Sequence, residues 1–217
     1  MNGPRSLFLV RHGRSDEASN DMVDTPRGPQ WDPPLHATGR EQAQLLARRL
    51  MLMHPPPAAV YSSPLRRTRE TIAPFAERTG ADVLIEDDLM EAHIGDWENK
   101  PFEEIVASDE EILHLVRTQR AIWHRAPGAE TITGFRTRVH AAIERILQRR
   151  PDGDVLVVCH GGVINAYLGP LLGIEHEMFF IPENTSVNTV VVDGHTRTIQ
   201  FLNDVVHLTD PRFFPEA

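Results

Sequence analysis

The chain has 217 residues, of which 22 are Lys or Arg and 31 are Asp or Glu, giving a formal charge of −9 with histidine neutral. A chain of that length buries ~70% of its unfolded surface without staples, and its charge has the wrong sign for an affinity built on phosphate-backbone contacts, so nucleic acid is not an expected partner. The single cysteine, Cys159, excludes a disulfide scaffold and a four-cysteine zinc site, and a reducing cytoplasm is the expected setting.

The first element is Leu7-Phe8-Leu9-Val10, a continuous apolar run that reads as a strand buried on both faces; Arg11 and His12 cut it too short for a secretory signal. Residues 13–38 show no periodicity and read as one long loop of the kind that carries function. Ala43, Leu46, Ala47, Leu50 and Met53 recur at helical spacing over 39–53, and His54-Pro55-Pro56-Pro57 ends that helix. Ala58-Ala59-Val60-Tyr61 is a short strand. Ser62-Ser63-Pro64 then predicts a helix start, with serine capping and Pro64 in the first turn, running to about Arg78. Val83-Leu84-Ile85 is a further strand, 101–125 holds one or two acidic amphipathic helices, and 131–150 holds a helix with Phe135, Val139, Ile143, Ile146 and Leu147 inward. Val155-Leu156-Val157-Val158 is the best strand signal; it leads through His160-Gly161-Gly162 into a helix over 163–172, and the glycines, His160 and Asn165 make this stretch unfit as a membrane span. Residues 187–192 and 198–202 form a hairpin around Asp193-Gly194. Alternating strands and helices predict an α/β protein, a three-layer α/β/α sandwich with a largely parallel sheet. With no repeat or linker, residues 1–217 are expected to form one domain.

His12 and His160 stand in equivalent places, each after an apolar strand and each before glycine. Ligands of open α/β sheets bind at the carboxyl ends of strands, so both histidines face one crevice. Arg11 precedes His12, and Arg66 or Arg67 lies in the first turns of the helix after Ser62-Ser63. Two arginines, two histidines and helix N-terminal N–H groups suit a dianionic oxyanion such as phosphate. Rival chemistries lack their parts. Cys159 falls in a core strand, and a cysteine phosphatase would need arginine where Asn165 stands. No Gly-x-Ser-x-Gly elbow, phosphate-binding Gly-x-x-x-x-Gly-Lys-Ser/Thr loop or His-Glu-x-x-His pair is present.

Taken in order, Leu9-Val10-Arg11-His12-Gly13, Asp32-Pro33-Pro34-Leu35, Tyr61-Ser62-Ser63-Pro64-Leu65-Arg66-Arg67, Leu89-Met90-Glu91, Gly95-Asp96-Trp97-Glu98, Pro127-Gly128-Ala129-Glu130 and Val157-Val158-Cys159-His160-Gly161-Gly162 resemble the histidine phosphatase (phosphoglycerate mutase-like) superfamily over nearly the whole chain. The resemblance implies the phosphoglycerate mutase-like fold. It also implies that His12 is the nucleophile and carries a phosphohistidine, that Glu91 is the general acid and base, and that His160 completes the catalytic set. Arg11, Arg67 and His160 would bind the phosphoryl oxygens, the choice of Arg67 over Arg66 coming from the family's pattern. No metal and no cofactor are then called for. The segment 96–130 is expected to cover the active site. His93, Trp31 and Trp97 border the pocket, to recognise substrate or to pack.

Three positions depart from the family. Ala18 stands where an asparagine is usual, so Asn20 or Ser15 is expected to complete the phosphate shell together with Gly161. Asn99 replaces the glycine of Trp-Glu-Gly, and His36 replaces a threonine. The expected function is a metal-independent phosphomonoesterase acting on a small phosphorylated metabolite in the cytoplasm, with no membrane partner and a homodimer left open. The alternatives are a cofactor-dependent phosphoglycerate mutase, disfavoured by chain length and by Gly95-Asp96-Trp97-Glu98, and a non-catalytic phospholigand-binding domain.

Overall fold

The two strongest apolar runs become the two central strands. In the computed structural model, which describes residues 3–214 apart from 108, 119 and 151, β1 (Arg5–Arg11) lies parallel to the strand Val155–Cys159, with Leu7 opposite Val155 and Arg11 opposite Cys159. Successive side chains point to opposite faces. Leu7 and Leu9 therefore join one core, with Phe135, Ile143, Val157 and Tyr167, while Val10 joins another, with Leu46, Leu50, Ile72 and Phe75.

In chain order the other elements are the hairpin β2 (Met22–Thr25) and β3 (Gly28–Trp31), α1 (Ala37–Met51), β4 (Ala59–Ser62), α2 (Arg66–Thr79) and β5 (Val83–Ile85). Then follow α3 (Phe102–Ala107), α4 (Glu110–Arg117), α5 (Ile132–Arg149), β6 (Val155–Cys159), α6 (Gly161–Leu171), β7 (Val187–Asp193), β8 (Thr196–Asp204) and the short α7 (Val206–Thr209). The main sheet has six strands in the order β5-β4-β6-β1-β7-β8, in which only β7 runs against the rest. Helices α1 and α2 cover one face and α5 and α6 the other, which is the predicted three-layer sandwich. Among the described residues no helix is long and apolar enough to cross a membrane.

Two sequence expectations are corrected. The stretch 13–38 is not one loop but contains the β2–β3 hairpin, a separate two-stranded sheet. Its strands are mostly exposed, so they show no apolar alternation; they are held from outside, by Glu98 accepting from the Trp31 backbone N–H (2.9 Å) and by the His93 ring bonding the Pro29 carbonyl (3.1 Å). Ser62-Ser63-Pro64 is not a helix start either. Ser62 ends β4, the Ser63 N–H extends the sheet ladder to the Val158 carbonyl (3.0 Å), and α2 begins at Arg66 behind Leu65 with no side-chain cap. Both serines are fully buried, and the Ser63 hydroxyl meets the His160 ring.

Candidate active site

Three neighbouring strands, β4, β6 and β1, end side by side, and each is followed by a residue of the site. Ser63 follows β4, His160 follows β6, and His12 follows β1 with its N–H bonded to the Cys159 carbonyl (3.0 Å). The rings of His12 and His160 are 5.2 Å apart between centroids. The His12 Nδ1 lies 2.7 Å from the Gly13 carbonyl. A carbonyl can only accept, so Nδ1 carries the proton and Nε2 keeps the lone pair. Burial, then the charges of Arg67 and Arg11, hold the His12 pKa well below the ordinary imidazole value, and the ring is neutral. Burial and the same arginines keep His160 neutral.

Arg66 and Arg67, which sequence reading alone could not separate, are separated by the helix. Arg66 is exposed and paired with Glu70 (2.6 Å), while Arg67 is buried and donates to the Trp31 carbonyl (3.1 Å). Arg11 donates from Nη1 to the Pro182 carbonyl (2.5 Å). Burial lowers both the Arg11 and Arg67 pKa values, opposed chiefly by the charge of Glu91. Two buried donors in this group, Arg11 Nε and His160 Nδ1, have no partner among the described residues. With Ser63 Oγ 2.9 Å from His160 Nε2, a serine O–H donated to that nitrogen leaves Nδ1–H to face an anion.

Glu91 is placed by backbone contacts. One carboxylate oxygen accepts from the Gly162 N–H (2.9 Å) in the first turn of α6 and the other from the Ala92 N–H (3.0 Å). Gly162 is a steric requirement, since a Cβ there would overlap Oε1 and stand 3.0 Å from Cδ of Glu91. Beneath Glu91 lies Arg138, which donates to the carbonyls of Asp88 (2.8 Å), Met90 (2.8 Å) and Glu91 (3.0 Å) and is clamped by Glu130 (2.7 Å). Sequence reading missed Arg138, because an arginine on an amphipathic helix reads as a surface charge. Arg138→Met is expected to lower kcat by ~10-fold with a smaller change in KM, and to cost about 2 kcal/mol of stability through the unpaired Glu130 and carbonyls; steady-state kinetics and urea unfolding check both.

Behind His12 stands a second layer that the sequence did not announce. Asn184 donates to the His12 carbonyl (3.0 Å), and the Thr185 N–H bonds the Arg11 carbonyl (3.0 Å) with Thr185 at φ +60, a left-handed conformation costly for a β-branched residue. Thr185 Oγ1 donates to the Asn184 carbonyl (2.7 Å) and so accepts from His207 Nε2 (3.0 Å), leaving His207 Nδ1 to accept from Arg49 (3.3 Å). Burial and then the Arg49 charge push the His207 pKa down to about 4, against Asp204. The folded value lies below the unfolded one, so this contribution is complete above pH ~6.5 and is lost as pH falls toward 4. Between pH 7.5 and 5.5 His207 alone should remove about 1.4 kcal/mol of stability, and His207→Gln should reduce the pH dependence of urea unfolding by that amount.

Of the other expected site residues, Gly161 is buried beside Arg11, where a Cβ would come 3.7 Å from Nε. Ser15 is bridged to Leu35 at the loop base, and Asn20 is exposed and accepts from Asn99 Nδ2 (3.1 Å). Asn99 adopts φ +59, a conformation that glycine and asparagine tolerate best, which accounts for asparagine in the family's glycine position. His36 caps α1 by accepting from the Thr38 N–H (3.2 Å), a task threonine also performs. Cys159 is fully buried and burial pushes its thiol pKa up, so it is inert. His93 is buried under the hairpin, and Trp31 Nε1 donates to the Ser19 carbonyl (2.8 Å).

The family model of the histidine phosphatase superfamily (branch 1) matches residues 7–205. Phosphoserine phosphatase 1 of Hydrogenobacter thermophilus is 30% identical over 214 residues, covering 97% of this chain and 97% of that protein. Among solved structures, Bacillus stearothermophilus YhfR superposes with a TM-score of 0.80 at 26% identity, covering 94% of this chain and 99% of that one. The mycobacterial glucosyl-3-phosphoglycerate phosphatase superposes with a TM-score of 0.75 at 26% identity, covering 92% and 99%.

Proposed function

This chain belongs to the histidine phosphatase superfamily, branch 1, and from that premise we propose that it is a metal-independent phosphomonoesterase that works through a phosphohistidine on His12. The observation that carries the reading is the buried, neutral His12 ring, its Nδ1 proton tied to Gly13 and its ring flanked by Arg11, Arg67 and His160. Nε2 attacks phosphorus while the ester P–O bond breaks, and Glu91 gives its proton to the leaving oxygen. Water then attacks the phosphorus, Glu91 takes the proton released, the P–N bond breaks and phosphate leaves. Arg11, Arg67 and the His160 Nδ1–H neutralise the charge that builds on the phosphoryl oxygens, the task a metal performs in other phosphoryl-transfer sites. That two compared proteins are named as phosphatases supports transfer to water.

The test is phosphate release from p-nitrophenyl phosphate in excess EDTA. Undiminished turnover is expected, and activity abolished by EDTA would sink the mechanism. Transfer of the phosphoryl group between phosphoglycerates with a bisphosphorylated primer, in the absence of net phosphate release, would instead establish a mutase.

A further inference from the structure

Beside the carboxylate of Glu91 opens a cavity of about 320 Å³ whose walls include Ile94, Phe102, Val116, Ile122, Met178 and Ile181. Glu91 and Gly162 are also among its lining residues. In the proposed mechanism the group that Glu91 protonates as it departs starts within reach of that carboxylate, and this cavity opens there. The volume falls at the lower end of small-molecule sites and suits a one- or two-ring group.

The charge in the cavity is as informative as its shape. Arg120 is the sole cation among its described lining residues, and it is spent on Glu177, with Nε 2.9 Å and Nη2 3.1 Å from the two carboxylate oxygens. Glu177 is itself buried and holds the Ala121 N–H, so this pair is anchored. A leaving group with its own carboxylate would lose its hydration here and find no unpaired cation among the lining residues. A second, polar chamber, bounded by Asn20, Lys100 and Glu103, shares Phe102 with this one but is not lined by Glu91 or Gly162.

We propose that this cavity is the leaving-group subsite and that it selects phosphomonoesters of uncharged aromatic or bulky apolar alcohols over carboxylate-bearing esters such as phosphoserine or phosphoglycerate. This rests on the phosphomonoesterase reading above. It sets the chain apart from those relatives whose printed names carry phosphoserine or a phosphoglycerate.

The experiment compares kcat/KM of the wild type for 2-phenylethyl phosphate, ethyl phosphate and phosphoserine. All three release a primary alcohol, so the ratios report contact with the cavity more than leaving-group chemistry. Burial of the phenyl ring predicts a preference of ~30-fold for 2-phenylethyl over ethyl phosphate, with phosphoserine no better than ethyl phosphate. Val116→Asn and Ile181→Asn, both at positions not fully buried, should each cut the ratio of kcat/KM for 2-phenylethyl over ethyl phosphate by at least ~3-fold. Equal turnover of the two alkyl esters, or a preference for phosphoserine, would overturn the subsite and leave the phosphatase reading standing. No phosphate from any ester would overturn both.

Discussion

Phosphate release by His12→Ala is expected to fall at least ~10³-fold below wild type while inorganic phosphate still binds within ~10-fold of the wild-type affinity. The two halves of this expectation come from different groups. In the proposed mechanism chemistry needs the Nε2 lone pair of His12, whose other nitrogen is fixed by the Gly13 carbonyl. Binding in that mechanism rests on Arg11, Arg67 and the His160 Nδ1–H, which the substitution leaves in place. Wild-type enzyme quenched in alkali during turnover should carry a phosphoryl group on histidine that acid removes, and the variant should carry none. Because burial and two arginines hold His12 neutral well below the usual imidazole range, its ring resonances should not titrate between pH 8 and 6. A midpoint near 6.5 would contradict the site's electrostatics, since protonation on the acid side is what would disable the nucleophile.

Gly162→Ala should be nearly as damaging as Glu91→Gln, each lowering kcat by ~10²-fold or more, as expected for loss of a general acid. The added methyl would occupy the space of the Glu91 carboxylate and expel it from the Gly162 N–H. Since both changes remove one function, the double variant should be no worse than the poorer single, a strongly non-additive cycle. Additive losses would mean that Gly162 serves the phosphate directly and that Glu91 acts without it. Circular dichroism of Gly162→Ala separates either outcome from misfolding.

The parts of this molecule that sequence reading recovered are those whose local pattern coincides with their tertiary environment. β1 and β6 are buried on both faces, and an uninterrupted apolar run has no other use in a chain of this kind. The histidines after them were legible because strand ends gather ligands, and Gly161-Gly162 because the motif is local. The β2–β3 hairpin was illegible because Met22, Val23 and Asp24 face solvent and the contacts that hold it come from Glu98 and His93, far along the chain. Ser62 and Ser63 misled because a cap and a buried polar strand end use the same residue type, and only burial tells them apart. Arg138 and His207 were missed for a related reason. Apart from Glu130, eight residues before Arg138, their partners are backbone carbonyls and side chains 47 to 50 and 22 to 158 residues away, beyond any local window of sequence.

The position of β1 in the sheet bears on how the chain comes to be made. It is the first of this sheet's strands to be synthesised, yet Leu7 pairs with Val155 on one side and Val190 on the other. Until the last quarter of the chain has emerged, Leu7, Leu9 and Val10 are an unpaired apolar segment with open hydrogen-bonding edges, the kind of segment that recruits chaperones or aggregates. His12, the nucleophile of the proposed mechanism, therefore directly follows the strand that waits longest for its neighbours, and phosphate binding is expected to report completion of the whole sheet. Ribosome-held chains ending before residue 155 should be protease-sensitive and blind to phosphate, whereas full-length chains should gain protection from it.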